Sequence, residues 1–209
     1  MIVGITGGIG TGKSTVVKMF KKLGNIAIYI ADIEAKKLMH TSTSIKSKII
    51  NEFGNHIYFD DKLQRNHLAN IVFTNKKKLE KLNAIVHPIV AEHFLDFVQK
   101  KNNKDYILYE NAILFENKSN DFCDVIITVT APFSVRLQRI VARDKSTEKE
   151  ILTRIDKQWN DTKKIIQSNY LILNNSIKDT QEQVVKIHYQ LMQKRLLFSK
   201  TSKKLSNKS

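Results

Sequence analysis

Residues 7–14 read G-G-I-G-T-G-K-S, a match to the phosphate-binding loop pattern G-x-x-x-x-G-K-[ST]. The apolar run at residues 2–6 predicts a strand before this loop, and residues 14–20 predict a helix after it. Glycines allow the backbone to turn its N–H groups toward an anion, and the helix adds the positive end of its dipole. The stretch therefore predicts a bound polyphosphate, with Lys13 reaching the terminal phosphates and the Ser14 hydroxyl on Mg²⁺.

The composition indicates one globular protein with a basic surface. The chain has 209 residues, 42% of them hydrophobic, which suits a single α/β domain with insertions. No apolar run reaches the length of a membrane span, and the single cysteine, Cys123, excludes an internal disulfide. We see no secretory signal and expect a cytoplasmic protein, favouring a monomer, without a membrane partner.

The net charge of +15 is compatible with a nucleic acid, an anionic membrane or a polyphosphate substrate. The lysines are spread along the whole chain, which is typical of a compositional bias more than of one nucleic-acid-binding stripe. The densest basic stretch is the end of the chain, where we expect a disordered tail at 199–209.

Strands and helices alternate after the loop. Further strands are predicted at residues 25–30, 105–109, 124–130 and 170–173, which favours a five-stranded parallel sheet flanked by helices. The expected divisions are one domain over 1–198, with a core at about 1–32, 105–135 and 168–198, a helical substrate-binding insertion at about 33–104 and a helical lid at about 136–167. Pro88 predicts a kink or a break near His87.

The phosphate loop alone permits kinases, GTPases, motor ATPases and helicases. The chain is too short for most helicase cores, and it contains no N-K-x-D segment to bind guanine. Small-molecule phosphotransferases are the largest class that remains, and such an enzyme needs an acceptor base and mobile cations.

Asp32 is the candidate base, since it follows the second predicted strand at the edge where α/β sheets bind ligands. Its carboxylate could accept a proton, hold Mg²⁺ through water, or simply cap a helix that begins at Ile33. The residues themselves leave these alternatives open.

The candidate cations are Arg136, Arg139 and Arg143, whose spacing places them on one helix face. Arg154 and Gln158 repeat the spacing on the next helix, and the charged segment 144–147 between them suits a hinge. Guanidinium groups fit phosphate oxygens, although a solvated basic face would have the same pattern.

A series of motifs from Met1 to about Leu197 resembles the dephospho-CoA kinase family in order and spacing. They are G-I-T-G-G-I-G-T-G-K-S-T at 4–15, Ala31-Asp32, Leu63-Gln64-Arg65 with Ile71-Val72-Phe73, L-N-A-I-V-H-P at 82–88, I-L-F-E at 113–116, Gln138-Arg139 with Arg143-Asp144, Arg154 with Gln158, and L-N-N at 173–175. Each motif is weak alone, but the ordered set is specific. The resemblance implies a P-loop NTPase fold of the nucleotide-kinase type.

The resemblance also implies a reaction, in which ATP phosphorylates the ribose 3′-hydroxyl of dephospho-CoA to give CoA and ADP. It implies Asp32 as the acceptor base and Arg139 as a catalytic cation, together with Lys13. The implied ATP-binding residues are Gly10, Thr11, Gly12, Lys13, Ser14, Thr15, Arg143 and Asn174, the last near the adenine. The implied dephospho-CoA side comprises Arg65, His87 and Glu116, although His87 could only shape a bend and Glu116 could be a helix-start carboxylate.

Three positions depart from the family pattern, with Thr11 in place of Ser, Ala112 in place of Pro and Ser176 in place of Gly. A left-handed backbone at Ser176 would carry a modest cost. Two alternatives remain: another small-molecule or nucleoside-monophosphate kinase of the same fold, and a basic nucleic-acid-binding protein with a phosphate loop.

Overall fold

The strand that leads into the phosphate loop lies at the centre of a five-stranded parallel sheet. β1 (Ile2–Thr6) pairs in parallel with β5 (Ile107–Glu110) on one side and with β6 (Val125–Thr130) on the other. β2 (Ala27–Ile30) and β7 (Tyr170–Leu173) are the outer strands, so the order is β2-β5-β1-β6-β7. The sheet confirms the predicted α/β fold.

The structure is a computed structural model that describes residues 1–73, 75–144, 148–156 and 158–206. Its helices are α1 (Lys13–Lys21), α2 (Ala31–Thr41), α3 (Thr43–Phe53), α4 (Arg65–Phe73), α5 (Lys76–Lys100), α6 (Phe133–Asp144), α7 (Glu148–Asp156), α8 (Asp161–Ile166) and α9 (Ile177–Ser206), with short 3₁₀ helices at Asn55–Ile57 and Ser119–Phe122. A small antiparallel ribbon pairs β3 (Tyr58–Phe59) with β4 (Lys62–Leu63).

The chain divides into two compact units. The first comprises Met1–Tyr29 and Asn103–Ser209, and the second comprises Ile30–Asn102. The second unit begins and ends within a few residues of the predicted insertion at 33–104.

The core of the first unit lies between the sheet and the helices α1 and α9. Apolar residues of β1 and β6 are fully buried there, as expected for strands covered on both faces. Helix α1 contributes Val16, Val17 and Phe20, and α9 contributes Val184, Ile187 and Leu191. Burial of both helices on the sheet fixes where the loop before α1 lies.

The second unit has its own buried residues, which come mainly from α3, α4 and α5. Helix α3 buries Ile45, Ile49 and Phe53 at helical spacing. Helix α5 buries Val86, Val90 and Phe94 in the same way. In the described part of this unit the regular elements after β2 are helices and the short β3–β4 ribbon.

Three elements differ from the predictions. Helix α2 begins at Ala31 rather than Ile33, and its N-cap is Ile30, so Asp32 lies in the first turn and the N-cap alternative is wrong. Helix α5 continues through Pro88, so the predicted break near His87 is wrong, whereas a kink there stays a prediction; a formed helix tolerates the loss of one hydrogen bond when its face is buried.

Helix α9 continues to Ser206, where the sequence predicted a disordered tail from 199. Extension of an existing helix adds one hydrogen bond per residue, and lysine and leucine favour the helical backbone. Residues 207–209 of the predicted tail lie outside the described residues. Across the described part of the chain, none of the helices combines the length and the apolar character that a membrane span requires.

Candidate active site

The phosphate loop has the backbone geometry that its glycines predict. Gly10 and Gly12 adopt positive φ angles of 80° and 88°, and Gly12 is the N-cap of α1. The Thr11 side chain is fully buried and donates to the Gly8 carbonyl at 2.9 Å, so it holds the loop from inside. The N–H groups of Thr15 and Val16 donate to the Gly12 carbonyl. The N–H groups of Lys13 and Ser14 come before these two in the helix. Because the first N–H groups of a helix have no intrahelical acceptor, those of Lys13 and Ser14 are left to bind an anion.

Lys13 lies over this loop. Its ammonium donates to the carbonyls of Gly7 at 2.8 Å and Gly8 at 3.2 Å. The pKa of Lys13 is lowered to about 8, chiefly by burial, with the Glu110 carboxylate opposing the shift and the positive charges of Lys164, Arg136 and Arg143 contributing to it. The surroundings of Lys13 therefore have an excess of positive charge, which favours a bound anion.

Two side chains hold the Ile9 peptide of the loop in place. The Ile9 N–H donates to Gln158 Oε1 at 2.9 Å, and the Ile9 carbonyl accepts from Arg136 Nε at 3.0 Å. Arg136 is only 8% exposed, and its Nη1 also donates to Asp161 at 3.2 Å. These hydrogen bonds give Arg136 a role in supporting the loop, and its role as a lid cation stays a prediction.

Arg139 remains a candidate phosphate ligand. Its Nη1 atom is buried and has no hydrogen-bond partner among the residues that the structure describes. The same atom lies 3.5 Å from the position that a Cβ atom at Gly12 would occupy. A buried N–H donor without a partner beside the phosphate loop is available to an anion.

Arg143 is engaged elsewhere. Its guanidinium forms two hydrogen bonds to Asp144, at 2.6 Å and 3.0 Å, and these raise the pKa of Arg143. The predicted hinge continues through 145–147, which lie outside the described residues, as does the side chain of Arg154.

Asn174 contacts the loop directly. It is 2% exposed, and its Nδ2 donates to the Thr11 carbonyl at 2.8 Å while its Oδ1 accepts from Thr180 at 3.0 Å. Ser176 has no positive φ angle, and its hydroxyl accepts from the Asp179 N–H at 3.1 Å as a helix cap does. The absence of the family's glycine at 176 is thus compensated by a cap.

Sequence reasoning missed Glu110. It is the last residue of β5, directly opposite Ile5 of the central strand, and is 8% exposed. Its charge acts on Lys13. The signal that could have identified Glu110 is a carboxylate at the carboxyl end of a buried strand beside β1, the strand that leads into the phosphate loop.

Glu116 lies in a turn, three residues before the 3₁₀ helix Ser119–Phe122, rather than at a helix start. Its Oε1 accepts from the Trp159 N–H at 2.8 Å and pairs with Lys164 Nζ at 2.9 Å. Its position near substrate stays a prediction, but this oxygen already has two donors.

The second unit holds the remaining predicted residues. Asp32 is largely exposed and pairs with Lys36 at 2.6 Å. The Arg65 guanidinium is exposed and contacts His40 Nε2 at 2.8 Å and 3.1 Å. His87 is half-buried within α5, and burial lowers its pKa.

Comparison with known proteins agrees with this geometry. The family model described as dephospho-CoA kinase matches residues 1–179. A dephospho-CoA kinase of Bacteroides fragilis is 35% identical over 192 residues, which cover 92% of this chain and 93% of that protein.

Solved structures agree as well. The crystal structure of TT1252 from Thermus thermophilus superposes with a TM-score of 0.80 at 26% identity, covering 90% of this chain and 95% of that one. A dephospho-CoA kinase from Campylobacter jejuni superposes with a TM-score of 0.60 at 25% identity, covering 91% and 96%. The loop, the sheet and the matched length together place this chain in the dephospho-CoA kinase family.

Proposed function

We propose that the protein transfers the γ-phosphoryl group of ATP to the ribose 3′-hydroxyl of dephospho-CoA, giving CoA and ADP. Membership of the family supports the substrates. The observation that carries the proposal is the buried Nη1 atom of Arg139, which has no hydrogen-bond partner among the described residues and lies beside a phosphate loop with its glycines at positive φ. Both features suit the negative charge of a triphosphate.

The ATP side of the site is built from the first unit. The loop from Gly10 to Thr15 would surround the phosphates, with the N–H groups of Lys13 and Ser14 donating to them, and Lys13 would exchange its loop carbonyls for donor oxygens. Arg139 would stabilise the charge that develops during transfer, and Arg143 would join it after leaving Asp144. Asn174 would support the loop through Thr11 and lie near the adenine.

The residues present fit Mg²⁺. This ion prefers oxygen ligands, takes few of them from the protein and retains several waters. Ser14 offers a hydroxyl in the first turn of α1, and Glu110 offers a buried carboxylate at the end of the adjacent strand. When bound, the ion would neutralise charge on the phosphates.

The acceptor side would use the second unit. Asp32 would release Lys36 and accept the proton of the attacking hydroxyl. Arg65 would release His40 to bind an anionic group of dephospho-CoA, and His87 would line or support the same side. We assign Glu116 a supporting role, because its Oε1 is already bound by Trp159 and Lys164.

A coupled assay of ADP release tests the function. Dephospho-CoA, AMP, CMP and gluconate would be compared as acceptors at equal concentration, with mass spectrometry of the product. We expect turnover with dephospho-CoA to exceed the others by about 100-fold or more, since the other acceptors cannot make all its contacts. Turnover with one of the others alone would instead support a different kinase of the same fold.

The proposal includes the sequence-based expectations of a cytoplasmic enzyme and of a monomer. Size-exclusion chromatography with light scattering measures the second directly, and a dimer mass would contradict it.

A further inference from the structure

Helix α8 carries a lysine whose ammonium is completely buried. Lys164 is 0% exposed, although the preceding Lys163 is exposed on the same helix. Removal of an ammonium from water is unfavourable unless the charge is paired and hydrogen-bonded. An apolar side chain would fill the same space without that penalty, so the buried charge points to a specific requirement.

The Lys164 ammonium has two partners, both in the segment that follows β5. It donates to the Ala112 carbonyl at 2.6 Å and pairs with Glu116 Oε1 at 2.9 Å. The other oxygen of Glu116 is buried and lacks a hydrogen-bond partner within the described part of the chain. Lys164 is therefore the counter-ion of a carboxylate that would otherwise be buried uncompensated.

The Ala112 carbonyl belongs to the turn that follows Glu110, the last residue of β5. The Asn111 N–H donates to the Ile5 carbonyl at 3.0 Å, which attaches this turn to the central strand. The Thr6 hydroxyl also approaches the Ala112 carbonyl, at 3.4 Å. The turn is thus held from one side by β1 and from the other by Lys164.

The same turn adjoins the phosphate loop. Thr6 directly precedes Gly7, and Lys13 interacts electrostatically with both Glu110 and Lys164. A shift of the turn would therefore move the Glu110 carboxylate relative to Lys13. Small displacements of this kind affect the reacting geometry more than they affect binding.

We propose that Lys164 is a positioning residue for phosphoryl transfer, which acts through the Ala112 carbonyl to hold Glu110 beside Lys13, with Glu116 as its counter-ion. The inference rests on the proposed kinase reaction. Lys164 does not itself contact substrate in this assignment.

The first test replaces Lys164 by methionine, which has a similar shape and no charge. We expect kcat for dephospho-CoA to fall by about 10- to 100-fold, with KM for ATP changed by less than about threefold, because the loop itself is held by other residues. The matched control is Lys163→Met, which makes the same change one residue earlier at an exposed site and should leave kcat unchanged.

A double variant separates positioning from stability. Lys164→Met alone leaves the Glu116 carboxylate unpaired and should lower the Tm, whereas Lys164→Met with Glu116→Gln removes both charges and should restore most of it. We expect kcat of the double variant to stay low, since the Ala112 carbonyl still lacks its donor.

Recovery of kcat together with Tm in the double variant would overturn the inference, and so would a wild-type kcat in the single variant. If the single variant does not fold, the double variant alone decides the question. Wild-type turnover of dephospho-CoA is measured in the same assay, so a failure of the proposed function is seen in the wild type and a failure of the inference only in the variants.

Discussion

The Asp32 carboxylate is exposed and paired with Lys36, so its proposed role requires that it exchange this partner for the substrate hydroxyl. The sequence placed Asp32 directly after the second strand, and the structure agrees. The position of Asp32 within the first turn of α2 could not be predicted. The helix begins after the extended backbone of Ile30, without a capping side chain that the sequence would reveal.

Replacement of Asp32 by asparagine keeps the shape of the side chain and removes its ability to accept a proton. We expect kcat to fall by about 100-fold or more, with the Kd for ATP unchanged. Rapid-quench kinetics and calorimetric titration of ATP measure the two quantities. The control is Asp61→Asn, which changes another exposed carboxylate of the same unit that pairs with Lys46. A loss of ATP affinity without a loss of turnover would contradict the assignment.

Arg139 shows a conflict between stability and activity at one residue. Its buried Nη1 atom lacks a partner in the described part of the protein, and such a donor costs about 1–3 kcal/mol. We expect Arg139→Met to leave the free energy of unfolding unchanged or slightly higher, while kcat falls by about 100-fold or more.

Arg136→Met provides the contrast for Arg139, because Arg136 is hydrogen-bonded to Ile9 and Asp161. This variant should lower the free energy of unfolding. Urea titration with and without ATP would distinguish the two arginines. A strong destabilisation by Arg139→Met without ATP would show that this side chain has a structural partner instead.

At the scale of elements, the phosphate loop is supported by residues far away in the sequence. Gln158 and Arg136 hold the Ile9 peptide, and Asn174 holds the Thr11 carbonyl. The sequence identified the loop and its neighbouring strand and helix correctly, because these depend on local pattern. The supporting contacts could not be predicted, since they join residues more than 100 positions apart.

Gly12→Ala tests how closely the loop is supported. A Cβ atom at this position would overlap Nδ2 of Asn174, and φ is 88°. We expect the free energy of unfolding to fall by about 1–2 kcal/mol from the left-handed backbone alone, and kcat/KM for ATP to fall by more than about tenfold.

A double-mutant cycle with Asn174→Ala identifies the source of the Gly12→Ala effect. If the overlap with Asn174 contributes, the two changes are not additive, because the second removes the atom that the first displaces. Simple additivity in urea unfolding and in kcat/KM would mean that backbone strain alone is responsible.

For the whole molecule, the parallel sheet was predicted from the sequence, but its strand order was not, and the sequence predicted one domain with a helical insertion where the structure has two compact units. Five short apolar runs separated by helices allowed the sheet to be predicted, whereas the continuous helix through Pro88 and the length of α9 did not follow from local signals. In both helices a buried face or an existing helical turn outweighs residues that are unfavourable by themselves.

The stability of the whole first unit should depend on pH through His188 of α9. His188 is 8% exposed and lies 2.8 Å from the Tyr106 hydroxyl. Burial lowers the pKa of His188, while the nearby Asp105 carboxylate, itself paired with Arg195, partly opposes the shift. The unfolded chain therefore binds a proton at this residue more readily than the folded protein does.

The folded-state pKa of His188 lies below the ordinary value of about 6.5. The contribution of His188 to stability is therefore complete above about pH 6.5, and it is lost as the pH falls from about 6.5 through the folded-state pKa. Each unit of the shift corresponds to about 1.4 kcal/mol. We expect urea unfolding between pH 8 and pH 5 to show a smaller decline for His188→Gln than for the wild type, since other groups titrate in both proteins. Equal slopes would mean that His188 takes up its proton as easily in the folded protein as in the unfolded chain.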